Sequence, residues 1–302
     1  MLTRKFGIQL TIPRDMTAMH ERPRREASGA SFREEVLRFG SDEQLVGIAT
    51  RPLHQGEGPA VVILNAGVLH RVGPHRAHVA LARRLAELGF ACLRLDLGGI
   101  GDSVPSSDAT TFRDSAVADT RLVLGEFGAA RYVIFGICAG ADNALATALV
   151  DDRVAAIVLV DPYVYANRRS QLRDLVTKLR TAGPRTALVR GARAVERRVR
   201  ARLERLRTPG DEPPAEGREA PPIATYRSDL GALVARGVKI LAIYSGVHRA
   251  KYNAPDQLFE LFPELRSRVD RAYFPDANHT FTELAAQSQL VATVTDWIAA
   301  LR

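Results

Sequence analysis

The chain is 302 residues long, 46% hydrophobic, and carries a formal net charge of +8. That length holds one large α/β domain with an insertion, or two small domains, and the apolar share is enough for a real core. Two cysteines exclude a disulfide framework.

Other classes are excluded by pattern. No run approaches the ~18 apolar residues of a membrane span, and no metal-ligand cluster or nucleic-acid motif occurs. Neither glycine-rich stretch follows the first strand with dinucleotide-binding spacing, so no cofactor is expected. The N-terminal stretch is broken by Gln9, Thr11 and Pro13 and makes a poor signal peptide. A reducing, cytoplasmic setting is expected.

In chain order, residues 1–30 read as a weakly ordered basic lead-in with Pro13 and Pro23. Phe32 to Arg51 holds two short β-like runs around Gly40-Ser41-Asp42, a hairpin at the edge of a sheet. Pro59 to Gly67 (PAVVILNAG) is a continuous apolar run suited to a strand buried on both faces, ending in the polar loop NAGVLHRVGPHR. His78 to Leu88 is apolar at helical spacing and stops at Gly89; Phe90 to Asp96 is the next buried strand, leading into LGGIGDS. Phe112 to Phe127 reads as helix.

Arg131 to Ala144 (RYVIFGICAGADNA) then reads as strand, sharp turn and helix. The turn is Gly136-Ile137-Cys138-Ala139-Gly140, with Cys138 where a strand-to-helix elbow presents a nucleophile and the Ala139 N–H free to bind an oxyanion. Cys92, inside an apolar strand, is expected to be a buried structural thiol. The elbow helix continues to Val150, and Val154 to Val160 forms a strand stopping at Asp161-Pro162.

From Tyr163 the alternation breaks. Residues 163–235 read as an insertion: Gln171 to Leu206 as Arg-rich helices broken at Gly183-Pro184, then a Pro/Gly/Glu loop of disordered composition. The positive charge is concentrated there, between Arg168 and Arg207. Val238 to Gly246 and Val269 to Phe274 resume the strands, and a helix through Val291 to Leu301 closes the chain. The expected architecture is therefore a mostly parallel, doubly wound sheet formed by 31–162 and 236–302.

Four motifs in this order, NAGVLHRVGPHR, LRLDLGGIGDS, GICAGA and FPDANHTFT, resemble the α/β-hydrolase superfamily. Within it the chain is similar to the serine-aminopeptidase-like hydrolases, and especially to the exosortase-associated group, with cysteine in the elbow position. The resemblance covers about Ala60 to Gly140 and Val238 to Trp297. It implies an α/β-hydrolase fold with a helical Arg-rich lid, His279 as the base that follows the last strand, and the loop Ala66-Gly67-Val68 as the second oxyanion donor, taken at Val68.

The acid departs from the pattern. After Val238 to Tyr244 the chain reads SGVHRAKYN, with no carboxylate before Asp256, whereas the preceding strand ends at Asp161. Asp161 is the preferred acid, with Asp256 or no acid as alternatives. A thiol paired with imidazole needs less help from a carboxylate than a hydroxyl does. His70, His75 and His248 are candidate substrate contacts; His20 and His54 carry no signal. Asp96 and Asp102 read as hydrogen-bonders that shape the loop beside the elbow.

These residues imply acyl transfer through an acyl-cysteine, as an ester or thioester hydrolase or an acyltransferase. The substrate would be a small acyl ester or thioester, with coenzyme A or an acyl carrier protein as a donor that the arginines would hold. The alternative is a ligand- or partner-binding protein on a hydrolase scaffold without chemistry.

Overall fold

The computed structural model describes residues 31–54, 56–105, 111–182, 218 and 220–302. The lead-in expected at residues 1–30 lies outside the described residues. So does most of the Arg-rich stretch after Ala182.

Eight strands form one sheet: β1 (Phe32–Phe39), β2 (Leu45–Pro52), β3 (Ala60–Ile63), β4 (Cys92–Asp96), β5 (Tyr132–Ile137), β6 (Val154–Val160), β7 (Lys239–Ser245) and β8 (Asp270–Phe274). Their order across the sheet is β1-β2-β4-β3-β5-β6-β7-β8. β1 and β2 pair antiparallel, β2 runs antiparallel to β4, and every later pair is parallel. The hairpin edge reads at period two from Glu35 on: Glu35, Leu37 and Phe39 are more buried than Val36 and Arg38, because only one face of β1 meets protein. β3 and β5 are buried at every position, as parallel strands covered on both faces must be.

Side-chain alternation divides the core in two. Ala60, Val62, Tyr132 and Ile134 point to one side of the sheet and Val61, Ile63, Val133 and Phe135 to the other. The second side is covered by helices α1 (Ala77–Glu87) and α6 (Leu284–Ala299), which pack on each other. The first is covered by α2 (Phe112–Phe127), α3 (Ala139–Val150) and α5 (Ile223–Ala235). α2 starts where the Thr111 side chain accepts from the Asp114 N–H at 3.1 Å and ends at Gly128, whose φ of 80° suits glycine.

The insertion expected at 163–235 differs at its far end. α4 (Arg168–Ala182) follows β6, but α5 sinks Tyr226, Leu230, Leu233 and Val234 into the core and carries the chain from one parallel strand to the next. By its packing it belongs with the sheet, so the insertion closes before Ile223. Its sequence, IATYRSDLGALVA, is far more apolar than that of the arginine-loaded α4, whose leucines stay exposed. No helix among the described residues is long and apolar enough to cross a membrane.

Candidate active site

Parallel strands deliver their C-terminal ends to one edge of the sheet, where α/β proteins collect reactive groups. β5 delivers Cys138. Its φ of 57° and ψ of −121° are those of a strained elbow, a conformation costing roughly 1–3 kcal/mol. Two glycines permit it by close approach. A Cβ on Gly136 would lie 2.1 Å from the Gly140 backbone, and one on Gly140 would lie 2.4 Å from the Asn65 carbonyl oxygen. The Cys138 N–H donates to the Val160 carbonyl at 2.9 Å, so the elbow is stitched to the end of β6.

β6 delivers Asp161, fully buried and also at positive φ (48°). Its N–H donates to the Ile243 carbonyl at 2.8 Å. One carboxylate oxygen accepts from the Ser245 N–H at 2.7 Å; the other accepts from the Ser245 hydroxyl at 2.7 Å and from His279 Nδ1 at 2.7 Å. The Cys138 thiol and the same imidazole line one cavity, and each shifts the other's proton affinity. Thiol, imidazole and carboxylate thus lie in one relay.

The His279 loop is fixed by its own contacts. Asn278 accepts the Thr282 N–H at 3.0 Å and donates to the Thr282 hydroxyl at 2.9 Å, and Phe281 is buried beneath.

Charge follows from these contacts. His279 is raised to about 9, first by its hydrogen bond to Asp161 and then by Cys138, against the opposing effect of burial. The Cys138 thiol is lowered from its ordinary value, first by His279, with Arg218 and the Ala139 N–H acting in the same direction. Both shifts act in the direction of a thiolate–imidazolium pair. Burial pushes the Cys92 thiol up, and Cys92 is wholly enclosed.

Val68, the expected second oxyanion donor, is 84% exposed on the loop after β3. Its N–H donates to no group among the described residues. With the Ala139 N–H at the start of α3, it makes two backbone donors available at this edge. The loop is held from below by Asn65, whose Nδ2 donates to the Leu69 carbonyl at 2.8 Å and to Asp96 at 2.9 Å while its Oδ1 accepts from the Leu97 N–H at 2.8 Å.

Asp96 also accepts from the Arg71 N–H at 2.7 Å and from the Asp102 N–H at 3.2 Å. His70, Asp96 and Asp102 lie close enough together to suggest a metal site. The Arg71 guanidinium, however, pairs with both carboxylates.

The thiol opens into a cavity of about 250 Å³. His248 lines it, half-buried, with its ring centroid 6.2 Å from that of His279, and burial lowers its proton affinity. His70 and His75 are not among the lining residues. His75 Nε2 instead meets the Thr282 hydroxyl at 3.1 Å, tying the oxyanion loop to the His279 loop. Asp256 is at the surface, paired with Arg266 and Arg271, away from the relay.

Three residues of this site escape sequence reasoning. Ser245 carries no motif, and Arg218 is one arginine among many. Asn65 had a signal: a lone amide closing an otherwise apolar strand. Arg218 embraces the Asp142 carboxylate on the first turn of α3, donates to the Asp161 carbonyl at 2.7 Å, and lies 4.6 Å over the Tyr163 ring.

Residues 59–187 match the family described as alpha/beta hydrolase fold, a stretch that contains the elbow and Asp161 but ends before His279. No curated protein matches the sequence. Solved structures similar to the chain include a predicted CIB-like hydrolase from Thermoplasma acidophilum, at TM-score 0.55 and 13% identity over 89% of this chain and 100% of that one. Mouse alpha/beta hydrolase domain-containing protein 10 aligns at TM-score 0.53 and 18% identity, over 89% and 100%. Alpha/beta hydrolase GrgF from Penicillium sp. sh18 aligns at 0.52 and 16%, over 89% and 98%. With its strand order, its elbow and these alignments, the chain has the α/β-hydrolase fold.

Proposed function

We propose that the protein transfers acyl groups from esters or thioesters through an acyl-cysteine on Cys138. The observation that carries this reading is the grouping itself: an imidazole bonded to a buried carboxylate at 2.7 Å, lining one cavity with an elbow thiol.

The Cys138 thiolate attacks the carbonyl carbon, and the carbonyl electron pair moves onto oxygen, within reach of the Ala139 and Val68 N–H groups. The oxyanion collapses and expels the alcohol or thiol, which takes the proton from His279. Water or an acceptor hydroxyl then gives its proton to His279, attacks the thioester, and releases the acyl group with return of the thiolate. Asp161 holds the ring and balances its charge throughout.

A thiol working this way needs a reducing setting, in keeping with a cytoplasmic location. Coenzyme A or a carrier protein as donor rests on the arginines of 183–207, which lie outside the described residues, and stays a narrower form of the proposal. A scaffold that only binds a ligand would leave the thiol, imidazole and carboxylate aligned without use.

Intact-mass measurement after exposure to a panel of esters and thioesters tests the reading. An acyl adduct that maps to Cys138 and vanishes in Cys138→Ala is expected; no adduct from any donor overturns it.

A further inference from the structure

The walls of the cavity at Cys138 are unequal in kind. Tyr163, Val164 and Val247 supply apolar surface, four basic residues line the same space, and among the described residues no aspartate or glutamate lines it. The basic groups differ in what they have left to offer.

His279 is bonded to Asp161. Arg218 is engaged by Asp142 and the Asp161 carbonyl. His248 is held toward its neutral form by burial, with the positive charges of His279, Arg218 and Lys251 acting in the same direction against Asp161.

Lys251 remains. Its carbonyl accepts from Gln257 and its N–H donates to the His248 carbonyl at 2.7 Å, so the backbone is anchored. The ammonium has no carboxylate partner among the described residues.

We propose that the acyl group accepted by Cys138 carries its own carboxylate, which Lys251 binds, so that the substrate class is a short-chain monoester or monothioester of a dicarboxylic acid. This deepens, and rests on, the acyl-cysteine reading. A volume of about 250 Å³ suits a short acyl chain better than a fatty tail. Lys251 is exposed at the same cavity as Cys138, where its ammonium attracts a carboxylate on the acyl chain through a salt-sensitive ion pair that a neutral chain of the same length cannot make. An anion on the leaving group is the other source of the same chemistry, and the test separates the two.

The experiment compares kcat/KM for 4-nitrophenyl hydrogen adipate, 4-nitrophenyl hexanoate and 3-carboxy-4-nitrophenyl hexanoate, in the wild type, Lys251→Gln and Lys251→Arg, with the Cys138 adduct followed by intact mass. The wild type is expected to prefer adipate over hexanoate at least tenfold. That preference should fall near unity in Lys251→Gln, persist in Lys251→Arg, and shrink with added salt.

Equal use of adipate and hexanoate with the Cys138 adduct present overturns this proposal and leaves the acyl-cysteine reading intact. A preference for the carboxylated leaving group, or an adipate preference that survives Lys251→Gln, overturns it too. Absence of any adduct overturns the acyl-cysteine reading, and this proposal with it.

Discussion

At the scale of residues the relay makes sharp demands. Asp161→Asn would keep the geometry while turning the imidazole the wrong way, and turnover should fall by about 10²- to 10⁴-fold with the fold intact, whereas Asp256→Asn should leave turnover unchanged. Steady-state rates on one ester, with circular dichroism as the check on folding, decide between the two carboxylates. The thiol has its own signature. With His279 protonated up to about 9 and the thiolate favoured below the usual thiol range, alkylation of Cys138 by iodoacetamide should already be fast at pH 7 and Cys92 should stay unlabelled. Removing the imidazolium in His279→Gln lets the thiol pKa rise, so the pH 7 rate should drop by about tenfold and recover at higher pH. A rate profile that does not move would mean that His279 exerts no hold on the sulfur. Cys138 and His279 were legible in the sequence because a glycine-flanked turn and a polar loop after the last strand are local patterns. Ser245, which gives Asp161 two hydrogen bonds, was not, since its importance comes from the register of β7 beside β6, a tertiary fact.

At the scale of elements, the elbow's shape is set by what is missing from it. Gly140→Ala would push a methyl into the Asn65 carbonyl, and since both sides of that contact are backbone, the elbow must shift; a loss of about 1–3 kcal/mol in denaturant unfolding is expected, together with loss of Cys138 reactivity. Gly231, inside α5, is the contrast. Its Cβ would meet nothing within 4 Å, so Gly231→Ala should stabilise by about 0.5–1 kcal/mol through helix propensity and a less free unfolded chain. Strand and helix order were read from buried apolar runs and 3.6-residue spacing, which do not depend on distant partners. α5 was assigned to the insertion because the Pro/Gly/Glu loop before it masks its start, and its role in crossing from β6 to β7 shows only once those strands are paired.

At the scale of the whole molecule, one buried group sets the acid limit. His78 on α1 is fully enclosed, with neither ring nitrogen hydrogen-bonded, and burial followed by the nearby charge of Arg94 lowers it to about 3. A histidine depressed in the folded state takes a proton in the unfolded chain first. The His78 contribution is therefore nearly constant above about pH 6.5 and declines as pH falls toward 3, by about 1 kcal/mol between pH 6 and 5. His78→Leu should flatten that slope, measured as urea midpoints across the range; an unchanged slope would assign the acid limit to other groups. The relay has a further consequence for how this chain can change. Its acid sits at the end of β6, next to the strand of the nucleophile, while the end of β7 contributes Ser245 and then the residues Val247, His248 and Lys251 that line the cavity. The segment where the superfamily resemblance would put the acid is thus released from carrying charge for the imidazole. On the acyl-cysteine reading, reactivity and selectivity would sit on separate pieces of backbone, so that exchanging 246–251 would change the diet without rebuilding the chemistry that digests it.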